Sequence, residues 1–307
     1  MNVHISLGTI NVSSGSVVAI GIFDGLHAGH IAVIREAVRK AEQAGLRCVV
    51  MTFSFTQELH PSKKQTGQKL ITETLFQSIL EDLGVNDIIA LPFSYVKGMS
   101  AEFFVSEILS KGLAAKIVLC GQNFRFARGG EATPEDMQRI GTCHAMEVTS
   151  IPLVMMEGEP VSSTRIRIAL AKGDLSIVNR MLGRRYAFDF EVVHGGKIGR
   201  EMGFPTINQQ IPEDFIRPRL GVYASNVMLD GVRWLGATNI GKKPTVGSDY
   251  VLAETHIIGY GGDLYGRRIW VELLEFIRSE EKFADMESLA RRMKEDCEII
   301  KETAGRG

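Results

Sequence analysis

The sequence has no excess of charge of either sign: 35 Lys and Arg residues face 36 Asp and Glu, leaving a formal net charge of −1. A general nucleic-acid binder is therefore not expected, because such proteins displace phosphate counterions with a large basic excess. Long apolar runs are also lacking, and the stretch Val17 to Phe23 is far too short to cross a bilayer. Met1 to Ile10 holds neither Lys nor Arg and no apolar block, so no secretory signal is read there. Cysteine is scarce. Cys48, Cys120, Cys143 and Cys297 are scattered without a Cys-x-x-Cys pair, so neither a disulfide framework nor a zinc site is expected. These absences point to a protein of the reducing cytoplasm with no membrane anchor and no obligate protein partner implied.

What is present is an ordinary globular composition, 45% hydrophobic and 23% charged, over 307 residues, a length that favours two domains. Up to about Leu182, β-rich apolar runs alternate with helical stretches, the pattern of a parallel sheet covered by helices. Ser16–Phe23, Arg47–Phe53, Asp87–Leu91, Lys116–Cys120 and Glu147–Ile151 read as strands. Between the first two, Ile31, Ile34, Val38 and Ala41 fall at helical spacing and predict an amphipathic crossover helix. After Arg184 the texture changes to short strands divided by glycine: Tyr186–Val193, Gly221–Leu229, Trp234–Gly241, Glu254–Ile258 and Arg268–Phe276. That spacing predicts a small antiparallel barrel. The last stretch predicts a helix from Met286 to about Glu302, with Leu289, Met293, Cys297 and Ile300 on one face. The expected boundary lies near Gly183, giving domains 1–183 and 184–307.

Two constellations carry chemistry. In the first, GIFDGLHAGH follows the first strand and opens the amphipathic helix, so it stands at the carboxyl end of a strand in an α/β sheet, where ligands bind. Gly25 and Gly29 allow close backbone approach, Gly21, Phe23 and Asp24 lie within the segment, and the helix start offers free N–H groups to an anion. His27 and His30, three apart, can both face it; two surface histidines on a glycine-rich turn are the plainer reading. About 130 residues on, VSSTRIR starts a helix, and Ser163, Thr164, Arg165 and Arg167 can converge on an oxyanion-rich ligand. Helix capping alone would also explain the hydroxyls.

The second constellation is GGKIGREMGFPTIN, Gly195 to Asn208, followed by NIGKKPTVG, AETHI, DLYG and FIRSEEKF. Pro205 fixes the backbone, so Thr206 and Asn208, two apart on an extended segment, present their oxygens in the same direction. Such oxygens suit a hard magnesium ion held with nucleotide phosphates. A flexible hairpin loop and a surface strand residue are the plainer readings of the glycine stretch and of Glu254.

The first constellation resembles the His-x-Gly-His signature of the nucleotidyltransferase superfamily, and with Ser-Ser-Thr-x-Ile-Arg it resembles the FMN adenylyltransferase module of prokaryotic FAD synthetases. The second resembles the riboflavin kinase family along its whole length. The resemblance implies a Rossmann-like α/β nucleotidyltransferase domain followed by a six-stranded antiparallel barrel with a C-terminal helix. Implied for the first site are His27 and His30 as catalytic groups, with Gly21, Phe23, Asp24, Gly29, Asn123, Ser163, Thr164 and Arg167 around ATP. For the second it implies Glu254 as general base, Thr206 and Asn208 holding Mg-ATP, Gly199 and Arg200 closing over phosphate, and Arg278 and Phe283 contacting flavin. Riboflavin, FMN and ATP are then the small-molecule partners, Mg²⁺ the metal, and FMN and FAD the products.

The chain departs from the family pattern at two places. TFSFTQELHP places Thr56 where the adenylyltransferases carry the histidine of a Pro-His-Pro element, while His60 and Pro61 come several residues later. In the Gly-x-(Asp/Asn)-Phe-x-Phe-Gly loop, Gly121, Asn123, Phe124 and Phe126 are kept but Ala127 replaces the last glycine. The readings carried forward are a bifunctional enzyme, a kinase with an altered first module, and a flavin-binding protein without turnover. Glu254, Thr206 and Asn208 speak against the last, since binding flavin needs neither a base nor metal ligands.

Overall fold

The computed structural model describes residues 1–10, 12, 14–53, 68–195, 199, 203–245 and 248–304. The chain forms two compact units, Met1–Gly67 with Glu73–Ser163, and Gln68–Thr72 with Thr164–Gly307.

The first unit is built on a six-stranded parallel sheet: β1 (Asn2–His4), β2 (Ser16–Ile20), β3 (Arg47–Thr52), β4 (Asp87–Ala90), β5 (Ala115–Gly121) and β6 (Glu147–Ile151), in the order β1-β4-β3-β2-β5-β6. β2 is buried at every position, as strands covered on both faces are. Its one polar residue, Ser16, satisfies its hydroxyl on the Leu113 carbonyl at 2.5 Å. The helix Ala28–Ala44 buries Val33, Ile34, Ala37, Val38 and Ala41. Ile31, expected on that stripe, is only half-buried, because the stripe begins one turn further on. The winding of the sheet reverses at β2, which has β3 on one side and β5 on the other. The crevice of such a sheet opens at that reversal, beyond the carboxyl ends of the strands. A two-stranded ribbon, β7 (Met155–Met156) and β8 (Glu159–Pro160), follows. β1 was not expected from the sequence.

The second unit is an antiparallel sheet of seven strands: β9 (Tyr186–Phe188), β10 (Val192–Val193), β11 (Thr206–Ile211), β12 (Gly221–Leu229), β13 (Val232–Thr245), β14 (Ser248–Ile257) and β15 (Trp270–Arg278). The order is β10-β11-β14-β13-β12-β15-β9. The expected count of six is thus corrected to seven. The stretch read as one strand, Tyr186–Val193, splits at Asp189–Glu191 into β9, paired with β15, and β10, paired with β11. These are opposite edges of the sheet joined by three residues, so the sheet must curl until its edges nearly meet. Asp189 is buried at the split and is satisfied by the Thr72 hydroxyl and by Arg268 Nε at 3.3 Å. The Gln209 amide straddles the seam, donating to the carbonyls of Phe190 at 2.6 Å and Ile269 at 2.8 Å. The C-terminal helix, Met286–Ala304, is capped by the Asp285 carboxylate on Ser288 N–H at 2.8 Å.

Candidate active sites

Residues paired directly across a sheet send their side chains to the same face. In the second unit one such row crosses five strands: Asn208 (β11), Glu254 (β14), Asn239 (β13), Val222 (β12) and Arg278 (β15). The next row on that face begins Thr206, His256, Ala237. The rows floor a cavity of about 330 Å³ that Thr206, Glu254, Arg278, Phe283 and Gly199 all line. Strand parity therefore gathers the proposed base, the metal-side threonine and Arg278 from three strands, and the segment after β15 adds Phe283.

Within this cavity Glu254 is 24% exposed, and its Oε2 meets Lys243 Nζ at 2.8 Å. His256 donates from Nδ1 to the Pro205 carbonyl at 2.9 Å, which fixes the segment leading into Thr206. Gly199 accepts the Phe204 N–H at 2.7 Å, and a side chain there would strike the Phe204 carbonyl, so only glycine lets the loop fold back this closely. Arg200 lies outside the described residues. Asn208 is 5% exposed, and its Oδ1 has no hydrogen-bond partner among the described residues. An unpaired buried acceptor costs about 1–3 kcal/mol. An oxygen kept in that state beside Thr206 suits a cation or a ligand donor, which is the property required of a magnesium ligand.

Arg278 shows a partner that the sequence did not reveal. Its Nε reaches both Asp296 oxygens, at 2.9 and 3.1 Å, its Nη2 reaches Oδ2 at 2.7 Å, and its Nη1 donates to the Ser279 carbonyl at 3.1 Å. The face of Phe283 lies 5.9 Å from the guanidinium carbon. Arg278 thus clamps the C-terminal helix while contributing to the cavity wall. Leu289, Met293 and Cys297 of that helix form the opposite, apolar wall. Burial, assisted by Asp296, raises the Cys297 thiol above its ordinary value, so it stays a neutral part of that wall. Asn239, Lys243 and Asp296 were missed as site residues. The NIGKKP motif was the available signal for the first two.

In the first unit the loop Gly21–His27 leaves β2 at the winding reversal. Phe23 and Leu26 take positive φ, 51° and 44°, which bulky residues adopt only when held. Both are buried. A Cβ on Gly21 would stand 2.9 Å from the Phe23 ring, so that ring can fold over the strand end only above glycine. His27 is the N-cap of the helix Ala28–Ala44: its Nδ1 accepts from the His30 N–H at 3.4 Å, which leaves the ring proton on Nε2. The two imidazoles stack with centroids 3.6 Å apart, and Phe23 meets His30 edge-on at 5.4 Å. Gly29 lies in the same first turn, and the carbonyl of the buried Asp24 accepts from the Ser163 hydroxyl at 2.9 Å.

Asn123 follows β5, at the carboxyl end of the strand beside β2. Thr164 and Arg167 fall in the second unit; Arg167 is buried and donates from Nε to the Gln68 carbonyl at 2.9 Å. Thr56, His60 and Pro61 lie outside the described residues.

Ala127 has φ 64° and ψ −173°, a region essentially reserved for glycine, at the position where the family pattern has glycine. Strain of this type costs about 1–3 kcal/mol, of which glycine's extra freedom in the unfolded chain returns roughly 0.4–1 kcal/mol. Ala127→Gly is expected to raise the stability of the first unit by about 1 kcal/mol, read as a higher urea midpoint. An unchanged or lower midpoint would mean that the loop relaxes around Ala127.

The riboflavin kinase family model matches residues 182–304, and the FAD synthetase family model matches residues 9–165. The bifunctional riboflavin kinase/FMN adenylyltransferase of Pseudomonas fluorescens is 33% identical over 283 residues, covering 90% of this chain and 88% of its own length. That of Escherichia coli K12 is 34% identical over 286 residues, covering 92% and 90%. A solved structure titled as a macrolide-efflux protein from Streptococcus pneumoniae aligns with a TM-score of 0.84 at 29% identity over 97% of this chain and 98% of that one. Among the described residues no helix is long and apolar enough to cross a membrane. Two sites on two separately matched modules define a fused, two-module chain. It belongs to the bifunctional riboflavin kinase/FMN adenylyltransferase family.

Proposed function

We propose that this protein is a cytoplasmic enzyme making FAD in two steps, riboflavin plus ATP to FMN and ADP in one module, then FMN plus ATP to FAD and pyrophosphate in the other. We set the boundary between modules near Gly183, the left-handed residue, φ 68°, that ends the helix Leu175–Leu182, whereas the two compact units divide at Ser163. The reading rests chiefly on the row Asn208–Glu254–Asn239–Val222–Arg278, of which Glu254, Asn239, Val222 and Arg278 line one cavity together with Thr206. Phosphoryl transfer needs a positioned hydroxyl, a metal and charge neutralisation more than a covalent catalyst.

In the kinase module Glu254 takes the proton of the terminal ribityl hydroxyl of riboflavin as that oxygen attacks the γ-phosphorus. Thr206 and Asn208 would hold magnesium with the nucleotide; when bound, it neutralises phosphate charge. Phe283 and the apolar helix wall take the flavin ring, with Arg278 fixing that wall. In the adenylyltransferase module the stacked His27 and His30 face the triphosphate at the helix start, with Gly21, Phe23, Asp24, Gly29 and Asn123 shaping the nucleotide site and Ser163, whose hydroxyl bonds the Asp24 carbonyl, beside them. Catalysis there is orientation and electrostatics.

Ala127 favours one narrower reading, a working kinase beside a slow first module. Purified protein incubated with riboflavin, ATP and magnesium is expected to give FMN and then FAD when the flavins are separated. FMN without FAD, from oxidised and reduced FMN alike, would leave the kinase alone, and neither product would overturn both assignments.

A further inference from the structure

Lys243 of β13 belongs to a motif, NIGKKP, that none of the roles above uses. Its Nζ lies 2.8 Å from Oε2 of Glu254, and both side chains line the 330 Å³ cavity. With 42% of its side chain exposed, Lys243 is not a core residue, and among the described residues it has no other ion-pair partner. Glu280, Glu281 and Asp296 also line the cavity. Asp296 is taken by Arg278, and Glu281 lies 3.7 Å from Arg292. Glu254 therefore has one oxygen held by a cation, while Oε1 has no hydrogen-bond partner among the described residues. A carboxylate on a flexible stem can present either oxygen; a cation fixed on one of them removes that ambiguity.

Resting on the kinase reading of this cavity, we propose that Lys243 is a positioning residue for Glu254, pinning Oε2 so that Oε1 is the oxygen presented to the acceptor hydroxyl. In the step this serves, the hydroxyl proton passes to Oε1 as the hydroxyl oxygen bonds to the γ-phosphorus. The bond from that phosphorus to the β–γ bridging oxygen breaks, and its electron pair leaves with ADP. Lys243 gains and loses no proton. Its contribution is orientation, and small misplacements of a reacting group are costly in rate: roughly 100-fold for 1 Å.

The test is steady-state riboflavin phosphorylation by the full chain. Lys243→Met, which keeps the stem and removes the charge, is expected to lower kcat by roughly 10- to 100-fold, with KM for ATP and for riboflavin each changed less than about threefold. Lys243→Arg should recover most of the loss. In a Glu254→Gln background, Lys243→Met should have no further effect, because the group it positions is already gone. Lys243→Gln serves as a second neutral variant should the methionine chain fold poorly. An unchanged kcat, a loss confined to KM for ATP, or an equal further loss in the Glu254→Gln background would each overturn the proposal. Absence of FMN formation by the wild type would instead overturn the kinase reading on which it rests.

Discussion

Glu254→Gln is expected to lower riboflavin phosphorylation by about 10²–10⁴, the usual contribution of a general base. Conversion of supplied FMN to FAD should be nearly unchanged. The substitution keeps size and hydrogen-bonding capacity but cannot accept the proton. Glu254 sits at the centre of the row Asn208–Glu254–Asn239, with a carboxamide on each neighbouring strand and its carboxylate in the cavity. Its loss should therefore appear in kcat with little change in the melting temperature. The proposed adenylylation groups His27 and His30 lie in the first unit, at the start of the helix Ala28–Ala44, which is why the two rates should separate. A folded Glu254→Gln protein with near-normal kinase activity would remove Glu254 from the mechanism and leave Lys243 without the role given to it.

Asp296→Ala is expected to destabilise the second unit by about 3–5 kcal/mol, because it leaves the Arg278 guanidinium buried with Glu281, at 3.8 Å, as its remaining ion-pair partner among the described residues. Asp296 is 3% exposed and Arg278 11%, so solvent screens the pair little. Typical domain stability is about 5–15 kcal/mol, so the loss should be plain as a lowered urea midpoint. Asp296→Asn keeps an acceptor for one guanidinium nitrogen and should cost less. The same change frees the helix bearing Leu289, Met293 and Cys297, so KM for riboflavin should rise more than KM for ATP. A stability change below about 1 kcal/mol would mean that apolar packing alone holds the helix.

Much of the second site was legible because strand parity is local: Pro205 announces an extended segment, and Thr206 and Asn208 then share a face whatever the partner strand. The apolar stripe Leu289, Met293, Cys297 was equally readable from helical spacing. The loop Gly21–His30 could be placed because an apolar strand and an amphipathic helix bracket it. What could not be read depends on contacts distant in sequence. β1 is a short strand with no apolar run; it is held in part because Asn2 and His4 help to satisfy the buried Asp87 carboxylate, at 3.1 and 3.3 Å, beside Arg47 at 2.6 Å. The break of Tyr186–Val193 into two edges turns on Asp189, whose partners Thr72 and Arg268 lie far away along the chain. Nothing in the sequence pairs Asp296 with Arg278, which lies on another element. Ala127 is read from the sequence as a departure from the family's glycine, but that its backbone still has glycine's conformation, φ 64°, shows only in the structure.

The meeting of β9 and β10 across a three-residue link has a consequence for how the second unit is made. β10 finds β11 soon after synthesis, but β9 pairs Phe188 with Val271 of β15, so the seam stays open until nearly all of the unit has been translated. Contacts of such long sequence separation are closed late and slowly. Until β15 arrives, β9 and the inner side of β12 have no cover, and the nascent unit presents unpaired strand edges of the sort that associate between chains. Closure of the sheet, its protection from aggregation and the closing of the cavity wall by the helix Met286–Ala304 thus all wait for the stretch from β15 onward.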